Sequence, residues 1–315
     1  MINRNGQTIP ARLLTVRHAT IYRYSEPVQL GEHRVMFRPR ESHDLRLLQT
    51  SLEIQPQPVD LFWLHDVFDN SVAVATFRGF TTELRFDSTV TIEHIEAVNP
   101  DYRLTAEAAS YPFYYADEEY ADLAQSLQPR YPSAALQQWA KAFLPSFGSV
   151  QTMALLRAIT LSINENFGYQ RRAERGVQNP DETLARRQGT CRDFALLMIE
   201  AVRALGFAAR FVSGYIFVPD AGPDLIVGGG ATHAWLQVYL PGAGWVDFDP
   251  TNKIVGNRHL IRVAVAWDHA QVLPLWGSFY GRPAAFLDMD VAVSVLEQTT
   301  AFPLQQQDTA FQARL

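Results

Sequence analysis

The chain has 315 residues, of which 47% are hydrophobic and 19% charged, and a formal net charge of −6. This composition excludes a disordered chain, and the charge provides no basic surface for nucleic acid. A single cysteine excludes an internal disulfide and fits a reducing compartment.

At this length, two domains or one domain with a large extension is expected. The opening stretch, residues 1–20, lacks an apolar run of signal-peptide length, and no run of about 18 apolar residues occurs anywhere. Neither a leader nor a membrane span is therefore expected, and cytoplasmic residence is the default.

From Leu13 to about Glu96 the chain reads as strands. "LLTVRHATIYRY", "LRLLQTSLEIQP", "SVAVATFRG" and "ELRFDSTVTIEHI" mix apolar and polar residues at roughly period two, with breakers such as Asp69-Asn70 and Gly79 between them. An N-terminal antiparallel β domain, sandwich-like or barrel-like, is expected over residues 1–100. "VNPDYRL", residues 98–104, reads as a linker, because the Asn99-Pro100 step disfavours helix.

Two helical stretches follow in residues 111–144. A longer amphipathic helix then places Met153, Leu156, Ile159, Thr160 and Ile163 at helical spacing, with Gly168 as its stop. The next helix has a sharply marked start. Thr190 is a capping residue, and Asp193, three residues later, completes a capping-box pattern. Cys191 thus falls in the first turn. Phe194, Leu197, Met198, Ala201, Val202 and Leu205 form one apolar face, and Gly206 is the C-terminal stop.

A thiol in that turn feels the positive end of the helix dipole, and Arg192 adds a neighbouring positive charge; both favour the nucleophilic thiolate. The free N–H groups of the turn could hold an oxyanion. Cysteine is also among the most buried residue types, so the position alone does not decide between chemistry and packing.

Downstream, "THAWLQVYLPGAGWVDFDPTN" reads as a hairpin: strand His233–Leu240, turn "PGAG", strand Trp245–Asp249. A turn centred on Pro241 sets Tyr239 opposite Ala243, Gln237 opposite Trp245 and His233 opposite Asp249. Any register of that parity puts His233 and Asp249 on one face, where the aspartate could orient the imidazole toward a nucleophile. Asp247 shares the face and is the rival. His18, His33, His43, His65 and His94 lie in the first domain, and His259 and His269 lie downstream without an aspartate placed by a hairpin. No zinc-like spacing and no phosphate loop occurs, so no metal or cofactor is expected. "VGGGA", residues 227–231, is either a mobile flap or a connector, and the last 14 residues read as a loose tail.

The wording of "GTCRDFALLMIEAVRALGFAARFVSGY", "THAW" and "GWVDFDPTN", in that order, resembles the transglutaminase-like superfamily in its bacterial branch. The resemblance spans about residues 150–260. The first 100 residues also look like the N-terminal β domain of that branch, and "PLWGSFYG", residues 274–281, looks like its C-terminal segment. The resemblance implies an α+β fold whose papain-like core, over residues 101–315, packs a cysteine-bearing helix on an antiparallel sheet carrying His and Asp. It implies Cys191 as nucleophile, His233 as base and Asp249 as orienter. Tyr169, Arg192 and Trp235 are the implied substrate-binding or oxyanion neighbours. A segment that often reads Gly-Arg-Asp-Tyr-Ala-Asp-Val in relatives is here "AWDHAQV", residues 266–272, so substrate preference is not carried over.

The expected activity is cysteine-dependent acyl transfer on an amide of a peptide or protein, with hydrolysis favoured. The alternatives are protein-glutamine gamma-glutamyl transfer to an amine, and a non-catalytic binding protein. Arg192 stands where eukaryotic-type transglutaminases carry tryptophan, and no calcium loop is present. The oligomeric state is not legible.

Overall fold

Alternation of apolar and polar side chains from Leu13 onward produces one long strand, β1 (Ala11–Val35), with Leu14, Val16, His18 and Thr20 turned inward. The computed structural model that carries it describes residues 11–95, 102–170, 176–219, 227 and 229–298. The expected tail, residues 98–101 of the expected linker, and Gly228 lie outside the described residues. Strands β2 (Leu45–Gln55), β3 (Asp60–His65), β4 (Ser71–Thr76) and β5 (Phe80–Ile95) follow. They assemble in the order β2-β5-β1-β4-β3, every pair antiparallel.

Helices α1 (Asp117–Leu127), α2 (Ala134–Lys141), α3 (Thr152–Asn166), α4 (Pro180–Arg186) and α5 (Cys191–Ala204) come next. Strands β6 (Ala209–Ile216), β7 (His233–Leu240), β8 (Gly244–Asp249) and β9 (Leu260–Ala266) form the second sheet. Its order is Ile254–Val255, then β8-β7-β6-β9, again antiparallel. The protein is an α+β fold with an N-terminal antiparallel β region. Among the described residues no helix is long and apolar enough to cross a membrane.

The last two strands, β10 (Leu275–Tyr280) and β11 (Phe286–Glu297), return to β1. Residues 274–281, which resemble the C-terminal segment of the family, thus fall with β11 in the first sheet. Strand β1 has two edges along its 25 residues. One edge is taken by β5 from Ala11 to Gln29, and the other by β11 from Leu14 to Tyr24. An open edge of that length would leave a row of N–H and C=O groups unpaired, so a returning strand is the stable solution.

Helix α5 lies on the second sheet. Phe194, Leu197, Met198, Ala201 and Val202 share a core with Ala234, Leu236, Val238 and Leu240 of β7, while Leu155, Leu156, Ile159 and Ile163 of α3 enter the same core. Each of the buried Val, Leu, Ile, Phe and Met side chains contributes roughly 1.5–3 kcal/mol. The core continues to Leu14, Val16, Val90 and Ile92 of the first sheet, so the two sheets share one apolar interior. Polar contacts cross the same boundary. Asn70 exchanges two 2.9 Å hydrogen bonds with the Val265 backbone, and His18 Nδ1 lies 2.9 Å from the Tyr215 hydroxyl.

Candidate active site

Cys191 opens α5, and the turn before it is held tightly. The Asp193 carboxylate accepts from the Thr190 N–H at 2.7 Å and the Thr190 hydroxyl at 2.9 Å. It also accepts from the Gln178 N–H at 2.6 Å. These bonds satisfy donors that a helix start and its approach would otherwise leave open. Gly189 is the tight point. A Cβ there would meet Asp193 Cβ at 2.8 Å and the Phe194 ring at 3.2 Å, so only glycine lets the chain descend into the helix. The thiol is buried, with Cys191 6% exposed.

The β7–β8 hairpin brings the other two residues. Its register differs from the expected one: Tyr239 pairs with Trp245 and Gln237 with Asp247. The reason is the turn. Pro241 and Gly242 take the two central positions, Gly242 at φ 87°, and the Ala243 N–H closes on the Leu240 carbonyl at 2.9 Å. Continuing that register sets Asp249 level with Trp235, so His233 and Asp249 are diagonal neighbours rather than direct opposites. The parity is unchanged and both side chains stay on one face.

His233 Nε2 lies 2.8 Å from Asp249 Oδ2, and both side chains are fully buried. Asp249 Oδ1 accepts from the Thr251 N–H at 2.8 Å. The other ring nitrogen, Nδ1, is buried and makes no hydrogen bond of strict geometry. Cys191 is nevertheless near enough to act on the ring by charge and by a loose hydrogen bond. Burial alone would lower the proton affinity of His233. The Asp249 charge and hydrogen bond, with Cys191, outweigh burial and push the pKa up to about 10.

A further side chain joins the pair. Asn252 donates to Asp249 Oδ2 at 2.9 Å and lies 3.4 Å from His233 Nε2. Its amide also exchanges hydrogen bonds with the Val227 backbone, at 2.8 and 3.1 Å. The signal was present three residues after Asp249, but nothing local tells an asparagine which carboxylate it will meet. Val227 is thus held by Asn252, and the Gly230 carbonyl accepts from the Val293 N–H at 3.1 Å.

The three expected neighbours fare differently. Tyr169 pairs with Gly189 in a short parallel bridge, beside the start of α5. Arg192 feels the Cys191 charge, but its guanidinium donates to the His269 carbonyl at 3.1 Å and sits 5.0 Å over the Phe211 ring. Trp235 is fully buried, and its indole N–H donates to Asp247 at 2.7 Å. It lies against the His233 ring, 5.9 Å between centroids at 26°. Among the described residues no group of three or more His, Cys, Asp or Glu could hold a metal ion.

Comparison with known proteins gives matches along most of the chain. Residues 14–93 match the bacterial transglutaminase-like N-terminal region, and residues 146–250 match the transglutaminase-like superfamily. The second match contains Cys191, His233 and Asp249. An uncharacterised protein of Mycobacterium tuberculosis is 32% identical over 298 residues, which cover 89% of this chain and 91% of that relative. A protein-glutamine gamma-glutamyltransferase of Pseudomonas aeruginosa is 34% identical over 113 residues, 34% of this chain and 17% of that protein. The solved structure of a candidate cysteine protease from Cytophaga hutchinsonii has the same fold, with a TM-score of 0.68 at 23% identity and 93% of each chain covered.

Proposed function

The chain belongs to the transglutaminase-like superfamily, and from that premise we propose that it is a cysteine-dependent acyl-transfer enzyme acting on amide bonds of peptides or proteins, with water as the acceptor. The observation that carries this reading is the buried pair of His233 Nε2 and Asp249 at 2.8 Å, whose imidazole also feels Cys191 at the first turn of α5.

In the proposed reaction the Cys191 thiol passes its proton to His233 Nδ1, Sγ attacks the amide carbonyl carbon, and the carbonyl π electrons move to oxygen. First-turn N–H groups of α5 are the donors aimed at that oxyanion. As the intermediate collapses, the C–N bond breaks and His233 gives its Nδ1 proton to the leaving amine. The product is a thioester on Cys191. Water then attacks the thioester carbon while His233 takes a proton from it. The C–S bond breaks, the acid leaves, and the proton returns to sulfur or stays on the imidazole. Asp249 accepts from Nε2–H throughout, which directs Nδ1 toward the sulfur and stabilises the imidazolium.

Amine as acceptor is the second reading, favoured by the likeness to the Pseudomonas aeruginosa gamma-glutamyltransferase. Both readings share the thioester, and the experiment separates them. Wild-type and Cys191→Ala protein are incubated with a peptide library, with and without a biotinylated primary amine. Cysteine-dependent cleavage or deamidation supports hydrolysis. Cysteine-dependent biotin incorporation supports transfer. No modification that differs between the two proteins, together with no acylation of Cys191 by a thiol-directed substrate analogue, overturns the enzyme reading.

A further inference from the structure

We propose that the first sheet is a working part of the active site: it supplies Asp44, a positioning residue that holds Trp235 beneath the His233 ring through Arg262 and Asp247. The inference rests on the reading of Cys191, His233 and Asp249 given above.

Asp44 stands at the entrance to β2 and is buried. Its carboxylate accepts from Arg262 Nη2 at 2.5 Å, from Asn257 Nδ2 at 2.7 Å and from the Ser42 hydroxyl. Asn257 also donates to the Ile95 carbonyl at 2.9 Å, which ties the same corner to the end of β5. Arg262, on β9, reaches the other way, and its Nη1 donates to Asp247 Oδ2 at 3.0 Å. Asp247 Oδ1 accepts from Trp235 Nε1 at 2.7 Å and from Gln237 Nε2 at 2.9 Å. The indole then lies against the imidazole. A continuous chain of contacts, buried at Asp247, Trp235 and His233 and part-buried at Arg262, thus runs from the first sheet to the His233 ring.

The geometry makes this more than a staple between sheets. A guanidinium is planar, and its nitrogens are fixed relative to one another, so a carboxylate gripping one Nη sets the direction of the other. Asp44 therefore aims Arg262 at Asp247, and Asp247 aims the indole. If the contact served adhesion alone, a backbone link would suffice, as Asn70 shows with its pair of bonds to Val265. A reacting group displaced by about 1 Å can cost on the order of a hundredfold in rate, so the orientation of the surface beneath His233 matters.

The link is not itself a pH switch. Burial alone would raise the Asp44 pKa, but Arg262 and the bonds from Ser42 and Asn257 outweigh it and hold it down to about 2. Arg262, at the centre of the path, also interacts by charge with Arg40 and Arg210. Asp44 faces Arg262. Asp247 faces Arg262 and acts through its charge on Arg210 and Tyr102. His233 faces Asp249 and Cys191. A change in the titration of His233 on altering Asp44 must then travel through position or through the charge that Asp44→Asn removes, and Arg262→Lys, which keeps the Arg262 charge and loses only the fork, separates the two.

The test pairs Asp44→Asn with Asn70→Ala. Both remove a buried side-chain link between the sheets, and both should melt below wild type. Two readouts are taken: the rate of Cys191 alkylation by iodoacetamide across pH, which needs no substrate, and kcat and KM on an amide substrate. Asp44→Asn should move the midpoint of the alkylation profile by about half a pH unit or more and lower kcat about tenfold with KM within about twofold. Asn70→Ala should leave the profile superimposable on wild type. The proposal is overturned if the Asp44→Asn profile matches wild type, or if Asn70→Ala moves it as far. Should Asp44→Asn not fold, Arg262→Lys is read the same way, since an ammonium keeps the charge but lacks the fork. Absence of any amide turnover in wild type would sink the reaction reading alone, because the alkylation profile still judges Asp44.

Discussion

Replacing Asp249 by asparagine should destabilise the protein most strongly at neutral and mildly acid pH. A histidine held at about 10 rather than the ordinary 6.5 carries about 5 kcal/mol of favourable interaction with its surroundings, most of it from Asp249. That stability is fully present below about pH 6.5 and is lost as pH rises through about 10. Asp249→Asn removes the charge and sets an amide NH2 where Oδ2 now accepts from both His233 Nε2 and Asn252 Nδ2. Donor then faces donor, and the ring is driven to the tautomer with its proton on Nδ1, which spoils it as a base toward Cys191. Losing one partner of a buried pair costs roughly 3–5 kcal/mol, a fall in melting temperature on the order of 10 °C for a chain of this size. Turnover should drop roughly 10³- to 10⁴-fold by analogy with the serine triad. The assay is thermal melting of both proteins at pH 6, 8 and 10.5, with amide turnover at pH 7.5. The gap between the two melting curves should narrow as pH rises past 10. A gap that is constant with pH, or wider at pH 10.5 than at pH 6, would refute the reasoning.

Asp247→Asn keeps an oxygen for Trp235 and Gln237 but loses the charge that meets Arg262; turnover should fall about tenfold, far less than for Asp249→Asn, and side-by-side kinetics check the order. Gly189→Ala should cost roughly 1–3 kcal/mol, because the new Cβ overlaps Asp193, and should slow Cys191 alkylation by displacing the helix start; urea titration and iodoacetamide kinetics measure the two effects. Arg203→Met strands the buried Glu200, 2.8 Å from the guanidinium it loses, and should cost roughly 3–5 kcal/mol while the folded protein keeps wild-type Cys191 reactivity. An unchanged melting temperature for Arg203→Met would show that Glu200 is neutralised by other means, such as the Arg130 and Tyr131 N–H groups that also reach it.

Local chemistry carried much of this protein into view before any fold was known. The capping pattern of Thr190 and Asp193 placed Cys191 in the first turn of α5, and the spacing of Phe194, Leu197, Met198, Ala201 and Val202 oriented that helix, because both signals act within a few residues. Strand alternation put His233 and Asp249 on one face, since parity survives a shift of two. The register itself did not follow from alternation: it depends on which residues the turn takes as its centre, and Pro241-Gly242 moved the pairing from Ala243 to Trp245 opposite Tyr239. Trp235 carried no local mark of burial, because an indole on a half-polar strand is free or covered according to what packs over it. The return of β10 and β11 to β1 and the path from Asp44 through Arg262 to Asp247 join residues up to 285 positions apart. Contacts at that separation leave no periodicity or spacing in the chain; they exist only where the shared core has closed and buried charges must find partners.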